Sequence, residues 1–340
     1  MNGKEITLMA MEPEKPPRIP VGLITGGEWY VNQAGKTFAE IKSDPDALAK
    51  VFTDGYRKTG QDFIWTGAGI LNYPIHFLGC PVEDDSSDSP KLLGTVIKSL
   101  DELESLDIQM LTKNPLMQGM IQYHRLVADE IGKECLIMTT QWGPFTVAAR
   151  ILGVEAMMMA AMENPEKLQE LIQFSSDLCW AITEPVLDHP DIPCMNLSEP
   201  VASCDVISPD LFRRFVKPVL IALLEKAKAK GKYTSLHICG NSTPLLSDIL
   251  DIEPTCFSIE AKVNLKTAKE ILGGRVCVLG NVSPTGNLLS GTPEDVIREG
   301  KECLKAWGDD PGYMLTVGCD FPKTVPLENV MALMSLKEME

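Results

Sequence analysis

Residues 233–281, YTSLHICGNSTPLLSDILDIEPTCFSIEAKVNLKTAKEILGGRVCVLGN, decide the fold. Three short β-like runs stand here, Tyr233–Cys239, Cys256–Glu260 and Arg275–Asn281. Between the last two lies the helix-like Leu265–Leu272, ended by Gly273-Gly274 as a helix C-terminus is commonly ended. Working outward, the same kind of run recurs at Val21–Thr25, Asp62–Thr66, Cys135–Gln141, Ile192–Glu199 and Tyr313–Cys319, giving eight in all. Most are continuous apolar runs, the pattern of parallel strands covered on both faces. Four helix starts pair a capping side chain with proline at the first helical position: Asp44-Pro45, Asn164-Pro165, Ser208-Pro209 and Thr292-Pro293. Amphipathic runs follow at Glu166–Val186, Leu211–Ala229, Glu294–Trp307 and Leu327–Met339. Eight strands alternating with helices predict an α/β fold, a (β/α)₈ TIM barrel. A doubly wound open sheet is the alternative, but no G-x-G-x-x-G follows the first strand. Residues 1–340 read as one barrel domain, with 1–18 an N-terminal extension and 81–90 (PVEDDSSDSP) a polar surface loop.

The chain has 340 residues and a net charge of −16. That field argues against nucleic acid and anionic membrane surfaces as partners, since both require positive charge. No apolar run reaches the roughly 18–20 residues of a membrane span, and the first residues lack the basic-then-apolar order of a signal peptide. A cytoplasmic location is expected, with small molecules or proteins as partners. The ten cysteines are thinly spread within apolar segments, as reduced cysteines are.

Barrel chemistry gathers at the C-terminal strand ends. The residues terminating the expected strands are Thr25, Thr66, Gln141, Glu199, His237 with Cys239, Glu260, Asn281 and Cys319. Residues two apart on a strand point the same way, so His237 and Cys239 converge. Cys319, ending the eighth strand, can reach the same mouth through barrel closure. One imidazole and two thiolates suit Zn²⁺, with a fourth position left for substrate or water. Glu260 is the candidate fourth ligand, and pairing with Lys262 or Lys266 is its bland alternative. H-x-C by itself also fits a plain strand core. Cys80, Cys135, Cys179, Cys194, Cys204, Cys256, Cys277 and Cys303 lack comparable spacing, and His76, His124 and His189 read as solvated or capping. Met157, Met158, Met159 and Met162 read as a helical core stripe.

His237-Ile238-Cys239-Gly240-Asn241, Ser258-Ile259-Glu260, Gly280-Asn281-Val282-Ser283-Pro284, Gly318-Cys319-Asp320 and Pro326-Leu327-Glu328-Asn329 together resemble the uroporphyrinogen decarboxylase superfamily. Within it they resemble the zinc-dependent cobamide methyltransferases that move a methyl group from a methylated corrinoid protein to coenzyme M. Leu197-Ser198-Glu199-Pro200-Val201-Ala202-Ser203 also resembles the family's acidic-Pro-Val-Ala-Ser segment. The resemblance implies a (β/α)₈ barrel, Zn²⁺ held by His237, Cys239 and Cys319, catalysis at those residues, and a methylcobamide carried by a partner corrinoid protein.

The same resemblance speaks against decarboxylation. Trp29-Tyr30-Val31-Asn32-Gln33-Ala34-Gly35-Lys36 is similar to the decarboxylase segment W-x-x-R-Q-A-G-R, with Asn32 and Lys36 where the arginines belong. Gly69 stands where the decarboxylase aspartate aligns. The expected activity is therefore methyl transfer, either from methyl-Co(III) to a zinc-activated thiol such as coenzyme M or from a methoxy or methylamine compound to Co(I). A coenzyme M sulfonate would need a cation, for which Arg150 and Arg275 are candidates, and Asp320 or a backbone carbonyl is a candidate for orienting His237. A metal-free barrel that only binds is the rival from another class.

Overall fold

The computed structural model describes residues 1–12, 14–24 and 26–338. Its strands are β1 (Phe63–Thr66), β2 (Val82–Glu83), β3 (Lys91–Leu92), β4 (Leu136–Trp142), β5 (Cys194–Ser198), β6 (Tyr233–His237), β7 (Cys256–Ser258), β8 (Cys277–Val282) and β9 (Tyr313–Val317). Seven of them form one parallel sheet in the order β1-β4-β5-β6-β7-β8-β9. The gap between its edges is filled by the expected first strand. Val21 bridges Leu315 of β9 and Leu23 bridges Ile64 of β1, both in parallel. This is the (β/α)₈ barrel, with the first stave reduced to two bridges; Thr25, expected at its end, lies outside the described residues.

The composition of the strands explains the closure. Every residue of β1, β5, β8 and β9 is buried, so each stave contributes to both the barrel interior and the layer beneath the helices. The short first stave is held by charge. Asp62 accepts from both terminal nitrogens of Arg18, at 2.6 and 2.8 Å, and from the Val21 N–H at 2.9 Å. The four proline-marked helix starts are formed as expected, each capping side chain accepting an N–H of the first turn.

Residues 1–18 contain the helix Gly3–Met11, opened by an Asn2–Glu5 capping box. Its buried Ile6, Ala10 and Met11 pack at the N-terminal end of the barrel. The 81–90 segment leads from β2 into the antiparallel hairpin with β3. Much of it is half-buried, because Asp84 bonds Lys42 and Tyr73 while the Ser89 N–H donates to Glu28.

Several expected elements differ in detail. The run 211–229 divides into Pro209–Leu211, a π-type turn Phe212–Val216 and the helix Lys217–Ala229, since Pro218 removes a ladder N–H. The last helix ends at Ser335 and continues as a tighter turn to Glu338; Met339 lies outside the described residues. Of the methionine stripe only Met157 is buried, whereas Met159 and Met162 are exposed. The helix Val154–Glu163 follows a sharp bend after Pro144–Leu152 and joins the core through one face, Met157, Ala160 and Ala161. Among the described residues no single helix is long and apolar enough to cross a membrane.

Candidate active site

β6 stops at His237, two residues earlier than the sequence pattern suggests. Gly240 follows with φ of 69°, and a side chain there would strike the Asp205 carboxylate, so the chain turns immediately after Cys239. His237 and Cys239, two residues apart, face the same way even so, with ring nitrogen and sulfur 3.2 Å apart. Cys319 lies just past β9 and Gly318, whose N–H is tied to Val282 O at 2.8 Å.

The three side chains meet. His237 Nε2 is 3.2 Å from Cys239 Sγ and 3.8 Å from Cys319 Sγ, and the two sulfurs are 3.8 Å apart. Among the described residues this is the group of ligand-type atoms gathered closely enough to hold a metal ion. His237 is buried, while both cysteines are half-buried and open on a cavity. The second ring nitrogen, Nδ1, lies 3.0 Å from the Ser258 hydroxyl. With Nδ1–H donating to that oxygen, the Nε2 lone pair faces the two sulfurs. Cys239's sulfur and burial both raise the Cys319 thiol far above its ordinary value, with His237 opposing, so without a cation the cluster favours the protonated thiol.

Other sequence candidates fall elsewhere. Glu260 is not in the cluster; its backbone oxygen accepts from Asn281 Nδ2 and Val263 N–H. Lys262 bonds Asp205 at 2.9 Å. Asp320 does not hold His237: its Oδ1 accepts from the N–H groups of Gly26 and Phe321. Arg275 precedes β8 at the opposite end of the barrel and pairs with Glu253 at 3.4 Å. Arg150 stacks over Trp142, 4.5 Å from the ring centre. His124 is buried, not solvated, and its Nδ1 meets Thr66 Oγ1 at 2.8 Å. Burial pushes its pKa down to about 3, so it is neutral.

Two residues have partners that a reading of strand ends does not give. Ser258 lies opposite His237 in the β6–β7 register, a relation that aligning neighbouring strands could have exposed. Glu199 is fully buried at the start of the helix Pro144–Leu152, accepting from Phe145 N–H, Thr146 N–H and the Thr146 hydroxyl at 2.9, 2.8 and 2.7 Å. Burial still lifts its carboxyl to about 7.

The cavity beside the cluster is walled by Trp65, Leu71, Trp142 and Pro200, with Thr140 and Ser198 adding hydroxyls. Trp65 meets the His237 ring edge-on at 6.0 Å.

The uroporphyrinogen decarboxylase profile matches residues 2–338. The chain belongs to the uroporphyrinogen decarboxylase family. Its likeness falls on the methyltransferase branch. It is 25% identical over 341 residues, 97% of this chain and 96% of the relative, to the methylcobamide:CoM methyltransferase MtaA of Methanosarcina barkeri. It is 28% identical over 263 residues, 77% of this chain and 68% of the relative, to a methylated-thiol–coenzyme M methyltransferase of Methanosarcina mazei. A solved methyltransferase structure from Methanosarcina mazei superposes with a TM-score of 0.88 at 26% identity, covering 99% of this chain and 98% of the other. For a member of this family, Gly69 is telling. Its φ is 89°, and a Cβ there would lie 2.4 Å from the Phe38 ring, so a side chain is strained at the position that the resemblance pairs with the decarboxylase aspartate. Asn32 and Lys36 are exposed and do not line the cavity.

Proposed function

We propose that this chain is a zinc-dependent corrinoid methyltransferase whose metal is held by His237, Cys239 and Cys319. The carrying observation is the donor set and its spacing. A tetrahedral ion with metal–sulfur bonds of about 2.3 Å separates its sulfurs by about 3.8 Å and a nitrogen from a sulfur by about 3.6 Å, against 3.8 Å between the cysteines and 3.2 and 3.8 Å to the imidazole. When bound, zinc supplies the Lewis acidity that makes a substrate thiol a thiolate at neutral pH.

The protein's own groups do the positioning. Ser258 fixes the imidazole, the turn at Gly240 fixes Cys239, and the Asp320 ties to Gly26 and Phe321 hold the loop that carries Cys319. Substrate sulfur approaches from the cavity side, where Trp65 and Trp142 restrict water. In the forward direction the sulfur attacks the methyl carbon of a methyl-Co(III) corrinoid presented by a separate corrinoid protein. The C–S bond forms, the Co–C bond breaks with both electrons left on cobalt as Co(I), and the thiol proton goes to solvent. The methylated-thiol relative supports a second reading, in which a methyl thioether donates its methyl to Co(I) at the same site. Glu260 would have to swing in from its loop to ligate the metal.

The test is zinc stoichiometry on purified protein, followed by the visible spectrum of methylcobalamin with a panel of thiols, with and without zinc. One zinc per chain and zinc-dependent loss of the methylcobalamin spectrum are expected. A zinc-free protein under non-chelating conditions sinks the reading and leaves the binding-only barrel.

A further inference from the structure

The cavity at the cluster carries an electrostatic message about its substrate. Among the described residues no lysine or arginine lines it, and its charged wall residue outside the cluster is Asp320. Cations on neighbouring loops are engaged, Lys262 with Asp205 at 2.9 Å and Lys323 with Asp88 at 2.8 Å. Arg150, its Nε buried without a partner, lies 4.5 Å from the centre of the Trp142 ring, which stands between its guanidinium and the cavity. Backbone N–H groups that could receive an anion are also engaged by the chain's own carboxyl groups: Glu199 at Phe145 and Thr146, Asp320 at Gly26. A sulfonate or carboxylate entering here would lose its hydration against apolar rings, with Trp142 keeping it from contact with Arg150.

Behind Leu71, Thr140 and Trp142, which both spaces share, lies a second, narrower cavity. Its wall includes Ile75, Met117, Met120, Val147, Leu178 and Ile182. His124 and Cys179 also face it and are uncharged, His124 because burial depresses its pKa and Cys179 because burial raises its own. A space of this lining binds by removing apolar surface from water.

We propose that the substrate of this site is an uncharged thiol, or its methyl thioether, with an apolar body whose tail passes Trp142 into the second cavity. This rests on the methyl-transfer reading above and departs from the coenzyme M acceptor of the relatives. Binding should strengthen about three- to four-fold for each methylene added, while the tail is still entering the second cavity.

The test uses zinc-loaded full-length protein, methylcobalamin, and two sets of thiols. One set compares hexane-1-thiol with the anionic 2-mercaptoethanesulfonate and the cationic 2-(dimethylamino)ethanethiol; the other is the series ethane-, butane- and hexane-1-thiol. Hexane-1-thiol should exceed both charged thiols at least ten-fold in kcat/KM. Ile182→Trp, which fills the second cavity from a half-buried position, should cost hexane-1-thiol at least ten-fold while leaving ethanethiol within two-fold. Calorimetric titration with hexyl methyl sulfide, without corrinoid, should show binding that Ile182→Trp abolishes. Equal or better turnover with either charged thiol overturns this proposal and leaves methyl transfer standing. Ile182-dependent binding of the sulfide without turnover of any thiol does the reverse, supporting the apolar site and overturning methyl transfer to thiols.

Discussion

Replacing Ser258 with alanine tests whether the chain pre-orients its imidazole. The hydroxyl is fully buried, 3.0 Å from Nδ1 of a His237 that is itself only 3% exposed. Its removal leaves a buried ring N–H without its partner, a deficit of about 1–3 kcal/mol. The ring can relieve it by rotating, which turns Nε2 away from Cys239 and Cys319. Loss of such an outer partner typically weakens metal binding about 10- to 100-fold, or about 1.4–2.7 kcal/mol, so the structural deficit and the binding deficit are of one size. Competition against a chromophoric chelator at pH 7.5 measures the affinity, and urea unfolding of the metal-free protein measures how much of the deficit falls on the fold. Ser258→Thr keeps the hydroxyl and should recover most of the affinity. Zinc affinity of Ser258→Ala within two-fold of the unaltered protein would refute the argument, whatever happens to stability.

Cys239→Ser and Cys319→Ser should each lower bound zinc from one per chain to under a tenth by elemental analysis, with far-ultraviolet circular dichroism unchanged; Glu260→Gln should leave it near one, since Glu260 stands outside the cluster. Asp62→Asn should cost about 3 kcal/mol in urea unfolding, because it leaves Arg18 without its charged partner where the first stave closes the barrel; a loss under 1 kcal/mol would show that apolar packing alone seals that seam. Glu199 gives a pH dependence of definite sign. Its folded pKa of about 7 lies above the usual 4.5, so its contribution to stability is fully present below about pH 4.5 and is lost as pH rises through 7. Between pH 5.5 and 8 the protein should lose about 2 kcal/mol relative to Glu199→Gln, and a pH-independent difference between the two would contradict the burial argument.

The barrel was legible because its physics is local. Continuous apolar strands and proline-marked helix starts are properties of short windows, and Asp44, Asn164, Ser208 and Thr292 cap as their types dictate. His237 and Cys239 were legible as a pair, two residues apart and facing the same way, although the strand itself stops at His237. Cys319 required barrel closure, which eight staves supply. Ser258 was hidden because its meaning lies in a register between strands twenty-one residues apart; Glu199 was legible as a strand end, but its partners were not, because they sit at the start of a helix on a different βα unit. Arg275 could have been set aside at once, since a residue that begins a barrel strand faces the end away from the chemistry. His124 shows the limit of composition: a lone histidine on the helix Pro115–Ile131 is buried against Thr66, and nothing in its neighbours along the chain announces that.

The site also shows how one barrel can change its chemistry at few positions. Stabilising a many-carboxylate substrate requires cations and an acidic partner aimed into the mouth. Here the aspartate's place is taken by a glycine whose φ of 89° and contact with Phe38 would strain a side chain, and the positions of the two arginines are exposed at Asn32 and Lys36. Removing those cations does more than forfeit one substrate. Asp320 is left as the charged wall residue outside the cluster, and Arg150 is kept behind the Trp142 ring, so an anionic substrate meets no cation in direct contact. An imidazole and two cysteines at 3.2–3.8 Å, with no lysine or arginine among the described residues that line the same cavity, are a receptive place for a divalent metal.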